Sequence, residues 1–197
     1  MKVVAFNGSP RPDGNTACLI KHVHKALEAE GIETELVQLG GNLVRGCKAC
    51  FQCFRAKNGR CVQDDDMVND CIEKMQQADG IILASPTYVT GITPELTGLI
   101  DRACLVAGAN GQFLRRKAGA AVVAVRRGGE IHAFDMINHF FLITQMIVPG
   151  SSYWNMGIGR EKGEVEKDEE GIRTMTVLGE NMAWLLQRTK NLAVARD

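Results

Sequence analysis

Hydrophobic and polar positions change period repeatedly along this chain. Lys2–Asn7 is a short apolar run of strand length. From Asn15 to Glu30 the spacing turns helical, with Leu19, Val23 and Leu27 on one face, and Gly31 ends the pattern. Thr34–Leu39 alternates as a second strand, and Gly40–Asp66 is a long polar stretch. Met67–Gln77 is helical, with Met67, Cys71 and Met75 on one side, and Gly80–Ser85 is a buried strand. Pro94 opens the next helix, Pro94–Val106, at a position where its missing N–H costs nothing. Ala118–Val125 is a fourth strand, Glu130–Met146 a helix, and Ile147–Trp154 a fifth strand interrupted by Pro149 and Gly150. A charged loop, Gly157–Lys167, leads into a last helix, Asp168–Gln187.

Five strands alternating with five helices imply an α/β fold, a doubly wound parallel sheet covered on both faces. The pattern divides into one domain over residues 1–190, with a cysteine-rich insertion at 40–66 and a tail at 191–197. In such folds ligands bind where the loops leave the carboxyl ends of the strands. The loops after the first, third and fourth strands are therefore the ones expected to build a site.

Composition narrows the partners. The 197 residues carry 23 basic and 23 acidic side chains, for a net charge of zero. That balance argues against nucleic acid or an anionic membrane as the main partner. No stretch approaches the ~18 apolar residues of a membrane span. MKVVAFNGSP reads as strand and turn, not as a signal peptide. The expected location is the cytoplasm, where thiols stay reduced. Seven cysteines, an odd number, also fit a disulfide framework poorly.

The first loop, NGSPRPDGNT (residues 7–16), collects two glycines, small hydroxyl and amide donors and Arg11 ahead of a helix N-terminus. These are the parts of a cradle for one phosphate dianion. It is neither the GxGxxG nor the GxxxxGK[ST] pattern, which points to a mononucleotide. The plainer alternative is a strand-to-helix turn capped by Asn15. SPTYVTGITP (85–94) has a backbone fixed by Pro86, Gly91 and Pro94, with Tyr88 offering a flat face. It suits a planar heterocycle, or equally a rigid connection. VRRGGE (125–130) lets backbone approach a ligand closely, and its arginines can meet negative charge on a reduced ring or simply solvent.

The motifs G-S-x-R-x-x-x-N-T and S-P-x-Y, the latter followed by an I-D-R helix, resemble those of the flavodoxin-like NAD(P)H-dependent FMN reductases. The resemblance spans roughly residues 1–150. It implies that Ser9, Arg11, Asn15 and Thr16 hold the FMN phosphate. It implies that Pro86, Thr87, Tyr88 and Gly91 contact the isoalloxazine ring, with Arg127, Gly128 and Gly129 opposite. It implies a homodimer or homotetramer, and NAD(P)H as a candidate substrate. Thr97 stands where many relatives carry lysine in the helix after the second loop.

The cysteines add a second chemistry. Cys47, Cys50 and Cys53 are spaced C-x2-C-x2-C, and Cys61 follows after seven residues. Zinc sites usually combine two short pairs. The triple run is the ferredoxin-type arrangement, which wraps three corners of a cubane. Lys48, Arg55, Lys57 and Arg60 lie in the same stretch and favour thiolates. The pattern resembles the compact cysteine motif of iron–sulfur flavoproteins, which implies one [4Fe–4S] cluster in this loop. Packed reduced thiols and zinc stay as alternatives. Cys18, Cys71 and Cys104, on helices, read as small buried hydrophobes. His22, His24, His132 and His139 show no ligand spacing, and Asp64–Asp66 reads as a helix cap.

The expected function is FMN-dependent oxidoreduction or electron transfer, coupling FMN to the cluster and to an outside redox partner. No catalytic acid or base is needed, because the chemistry is borne by the cofactors. The alternatives are a cluster-free FMN or quinone reductase and a flavodoxin-type electron carrier.

Overall fold

A computed structural model describes residues 1–193. Five strands form one parallel sheet: β1 (Lys2–Asn7), β2 (Glu33–Gln38), β3 (Gly80–Pro86), β4 (Ala118–Val125) and β5 (Met156–Ile158), in the order β2-β1-β3-β4-β5. Around it lie α1 (Asn15–Ala29), α2 (Gln52–Ala56), α3 (Val68–Gln77), α4 (Pro94–Ala109), α5 (Glu130–Ile143) and α6 (Glu169–Ala193).

Alternate strand residues supply two cores. Val4, Phe6, Ile81, Leu83, Ala121 and Val123 face α3, α4 and α5. Val3, Ala5, Ile82, Ala84, Ala120 and Val122 face α1 and α6. This is the period-two alternation of a strand with both faces apolar, as a sheet covered on both sides requires. β4 is buried at all eight positions. The strand order reverses direction at β1 and β3, so their carboxyl ends open a crevice between loops that feed opposite layers.

Besides the short helix α2 inside the cysteine-rich stretch, two regions depart from the pattern read in the sequence. The fifth strand is not Ile147–Trp154. There only Ile147 makes an isolated bridge, to Ala118, and the paired strand is Met156–Ile158. Pro149 removes a ladder donor. Downstream, the Ser151 hydroxyl is bonded to the Tyr153 carbonyl and the Asn155 side chain, a local turn that competes with strand pairing. The chain rejoins the sheet when the Val123 amide donates to the Asn155 carbonyl at 3.0 Å. The last helix runs to Ala193, so residues 191–193, assigned to a tail above, are helical. No Gly or Pro interrupts the helix formers there. Residues 194–197 of that tail lie outside the described residues.

His24, on α1, is buried, and its Nε2 has no partner. Burial pushes its pKa below the ordinary 6.5, against a weaker pull from Glu28. The unfolded chain therefore takes up a proton first. Its contribution to stability is complete above the unfolded pKa and declines as pH falls through and below about 6.5. Denaturant midpoints at about pH 8 and about pH 5 should show a smaller drop for His24→Phe than for the parent protein. Equal drops would contradict the assignment.

Candidate functional site

β1 ends at Asn7, whose side chain is buried and shapes the turn beyond it. Its Nδ2 donates to Gln38 Oε1 at 2.8 Å, while the Ser9 amide donates to its Oδ1 at 3.1 Å. Gln38 Nε2 in turn donates to the carbonyls of Ser9 and Gly40, both at 2.7 Å. The loop is thus clamped from β2. Gly40 completes the clamp: a Cβ there would sit 2.3 Å from the Gly8 carbonyl oxygen and the Ser9 carbonyl carbon. Sequence reasoning missed Gly40, although the glycine pair just after a strand end was the available signal.

Helix α1 begins at Asn15 with Gly14 as its N-cap and no side-chain cap bond. The cap reading of Asn15 is therefore not what is built. Among the described residues nothing accepts from the amides of Asn15, Thr16 or Ala17. Free first-turn amides plus the helix dipole form an anion site. Ser9 and Thr16 line the inner side, both buried, and Arg11 is exposed at the rim. The Asn15 side chain turns elsewhere. Its Nδ2 donates to the Glu161 carbonyl at 2.9 Å, so it secures the charged 157–167 loop and leaves only its amide for a ligand. That loop folds back over the first one, with Lys162 paired to Asp13 and His22 to Glu166.

The β3 loop makes a tight reversal. Tyr88 and Gly91 exchange amide-to-carbonyl bonds of 2.9 and 2.8 Å across Val89 and Thr90. Both central residues have positive φ, 47° and 64°. For β-branched residues this is a strained conformation, costing ~1–3 kcal/mol each. Gly91 itself is not at positive φ. Gly129, at φ 91°, lies against Thr90: a Cβ there would come within 3.0 Å of the Thr90 methyl. The Thr87 amide donates to the Ala124 carbonyl at 2.9 Å, so the 85–94 and 125–130 loops meet edge to edge. Tyr88 is half exposed there, and Arg126, Arg127 and Gly128 are open to solvent.

The cysteine loop leaves the same edge of the sheet, after β2. Cys47, Cys50, Cys53 and Cys61 all line one small pocket, together with Phe51, Gln63, Arg102 and Leu105. Ala49, Phe51 and Lys57 take positive φ, which winds the chain tightly around this pocket. The short helix α2, unforeseen from sequence, carries Cys53 inward, and burial pushes its thiol up. The Ala49 amide donates to Cys47 Sγ at 3.4 Å. Among the described residues no three His, Cys, Asp or Glu side chains are grouped tightly enough to hold one metal ion. A cubane spreads its thiolates farther apart than a single ion does, each on its own iron. The other cysteines differ in kind. Burial pushes the Cys71 thiol up to about 12, and Cys18 and Cys104 are raised by burial as well.

A buried network pins both ends of this loop. Arg102, on α4, is 1% exposed and pairs with Asp66 at 2.5 Å. It also donates to the carbonyls of Arg45 at 3.2 Å and Gln63 at 2.7 Å. Asp66 accepts from the Arg45 amide at 2.8 Å and the Val68 amide at 3.1 Å. Burial opposes its charge, but Arg102 and these amides together hold its carboxyl below the ordinary range. Met67, not Asp66, is the N-cap of α3: Asp66 accepts from the Val68 amide, and its charged partner is Arg102. Asn69 stitches the far end, accepting from the Cys61 amide at 2.8 Å and donating to the Cys61 carbonyl at 2.9 Å.

The model of a family described as NADPH-dependent FMN reductase matches residues 1–161, which contain the loops after β1, β2, β3 and β4. The chain belongs to that family. It is a flavodoxin-like FMN-dependent oxidoreductase. An iron–sulfur flavoprotein of Methanocaldococcus jannaschii is 38% identical over 96% of this chain and 100% of its own. One from Methanosarcina thermophila is 33% identical over 95% of this chain and 96% of its own. In fold, this flavoprotein is similar to RosB, solved with bound 8-demethyl-8-formylriboflavin-5'-phosphate. The TM-score is 0.78 at 19% identity, over 97% of this chain and 81% of that one. A flavodoxin-like, WrbA-like protein from Agrobacterium tumefaciens gives 0.66 at 15%, over 95% and 97%. No helix among the described residues is long and apolar enough to cross a membrane.

Gly40→Ala should push its methyl into the Gly8–Ser9 backbone. The expected cost is about 1–3 kcal/mol of stability, together with weaker FMN binding by calorimetry. Unchanged FMN affinity would mean that the clamp does not shape an FMN contact.

Proposed function

We propose that this flavoprotein couples FMN to one [4Fe–4S] cluster and passes single electrons to an outside redox partner. The observation that carries the reading is the convergence of Cys47, Cys50, Cys53 and Cys61 on one pocket at the same sheet edge as the flavin loops. Relatives named iron–sulfur flavoproteins, aligned along nearly the whole chain, support it. The four thiols, as thiolates, would ligate the cluster, and the Ala49 amide, which donates to Cys47 Sγ, would then meet a ligand sulfur, as such clusters favour.

The FMN phosphate would sit on the amides of Asn15, Thr16 and Ala17, with the hydroxyls of Ser9 and Thr16 and the Arg11 guanidinium around it. Pro86, Thr87, Tyr88 and Gly91 would hold the ring on one side and Arg127, Gly128 and Gly129 on the other. When bound, FMN supplies the exchange between two-electron and one-electron chemistry. The protein positions it, and the open Arg127 side chain can offset negative charge gained on reduction. NAD(P)H is a candidate donor. A homodimer or homotetramer in the reducing cytoplasm, where these thiols stay free, completes the proposal.

Two experiments test it. Arg11→Ala should weaken FMN by about 1–3 kcal/mol, the scale of a charge-assisted hydrogen bond, and should leave riboflavin unaffected. Equal FMN and riboflavin affinities in the parent protein would remove the phosphate cradle. Ser at Cys47, Cys50, Cys53 or Cys61 should lower iron and sulfide while FMN stays bound. Ser at Cys18, Cys71 or Cys104 should do neither. Parent protein reconstituted without oxygen yet free of iron would instead favour the cluster-free reductase.

A further inference from the structure

The four basic side chains that share the cysteine segment are poor candidates for controlling what happens in the pocket. Lys48 lines the pocket but is exposed to solvent, Arg55 and Lys57 are exposed and do not line it, and Arg60 is already paired with Asp64 at 3.2 Å and with Glu73 at 3.8 Å. Exposed charges are screened by water and salt. Arg102 is different. It comes from α4, outside the cysteine segment, and its side chain is fully buried. Its guanidinium lines the pocket beside Cys61. Asp66 does not line the pocket, so the pair presents its cationic end inward. Three of its hydrogen bonds are spent on Asp66, Arg45 and Gln63, yet Nε is buried without a partner. Gln63 Oε1, on the same pocket wall, is also buried and unpartnered. Buried polar atoms left unsatisfied call for an explanation.

We infer that Arg102 is the internal cation of the cysteine pocket, fixing both ends of the loop and raising the reduction potential of the cluster held there. The inference rests on the cluster reading above. Reduction adds one electron, and so one unit of negative charge, to an already anionic thiolate-ligated cluster, with no bond made or broken. The electron comes from the flavin or, in a titration, from dithionite. A fixed positive charge in a water-poor wall favours the more negative state. Arg102 does not exchange protons in the working range, so its effect is constant with pH. It is a positioning residue, acting through charge and through the loop that it holds.

The test compares Arg102→Lys, which keeps a cation, with the double variant Arg102→Met/Asp66→Asn, which removes both buried charges so that no lone carboxylate remains. Far-UV circular dichroism and FMN content check folding. Each protein is reconstituted anaerobically beside the parent, counted for iron and sulfide, and titrated with redox dyes. In the double variant the one-electron reduction equilibrium should become about tenfold less favourable, a fall of ~59 mV, with the Lys variant in between. Loss of iron from the double variant alone would also support the role of the charge. Parental potentials in both iron-loaded variants would overturn the inference. So would loss of iron from both while both stay folded, since a retained cation would then have done nothing. A parent protein without iron would instead overturn the cluster reading itself.

Discussion

A parallel sheet apolar on both faces can release its chain only at its edges, and every strand then points its carboxyl end the same way. That constraint arranges everything else in this molecule. The loops after β1, β3 and β4 gather at one edge, and the cysteine loop after β2 leaves from the same edge. Because β1 and β3 feed opposite layers, their loops stand apart enough to admit a ligand. Burial at each of the eight positions of β4 makes that edge stiff. The strained Val89–Thr90 turn and the close Gly129 contact are held on this frame.

The two halves of the site are secured by different physics. The loop after β1 is shaped by neutral hydrogen bonds from Asn7 and Gln38 and by the absence of a side chain at Gly40. It leaves amides free where an anion can use them. The cysteine loop is secured by charge. A buried pair such as Arg102–Asp66 adds little net stability compared with apolar residues, but breaking it by removing one partner costs several kcal/mol. Its value here is register. It ties residues 45 and 63–66 to α4, so the thiols between them face one pocket. The cysteine pocket is thus held as a fixed neighbour of the β1 and β3 loops at one edge.

Much of this was legible in the chain. β4 falls where its apolar run placed it, Ala118–Val125, and the loops after β1, β3 and β4 follow the strands that periodicity assigned. Local patterns report local structure well. The fifth strand shifted because the Ser151 hydroxyl, bonded to the Tyr153 carbonyl and to the Asn155 side chain, turns the backbone that hydrophobicity alone had given to a strand. Asn15 was read as a ligand or a cap, but its side chain serves a segment 146 positions away. Asp66 looked like a cap because its partner lies 36 positions on, in another helix. No periodicity records such pairings. An arginine inside the apolar run LIDRACLV did carry a signal, since a charge buried there must find a partner.

The most direct measurement is electron paramagnetic resonance on the parent protein, reconstituted and reduced without oxygen, with FMN counted on the same sample. One spin-half iron–sulfur signal integrating to about one spin per chain, beside one FMN, is the result this account requires. Full FMN with no iron–sulfur signal and no acid-labile sulfide would contradict it.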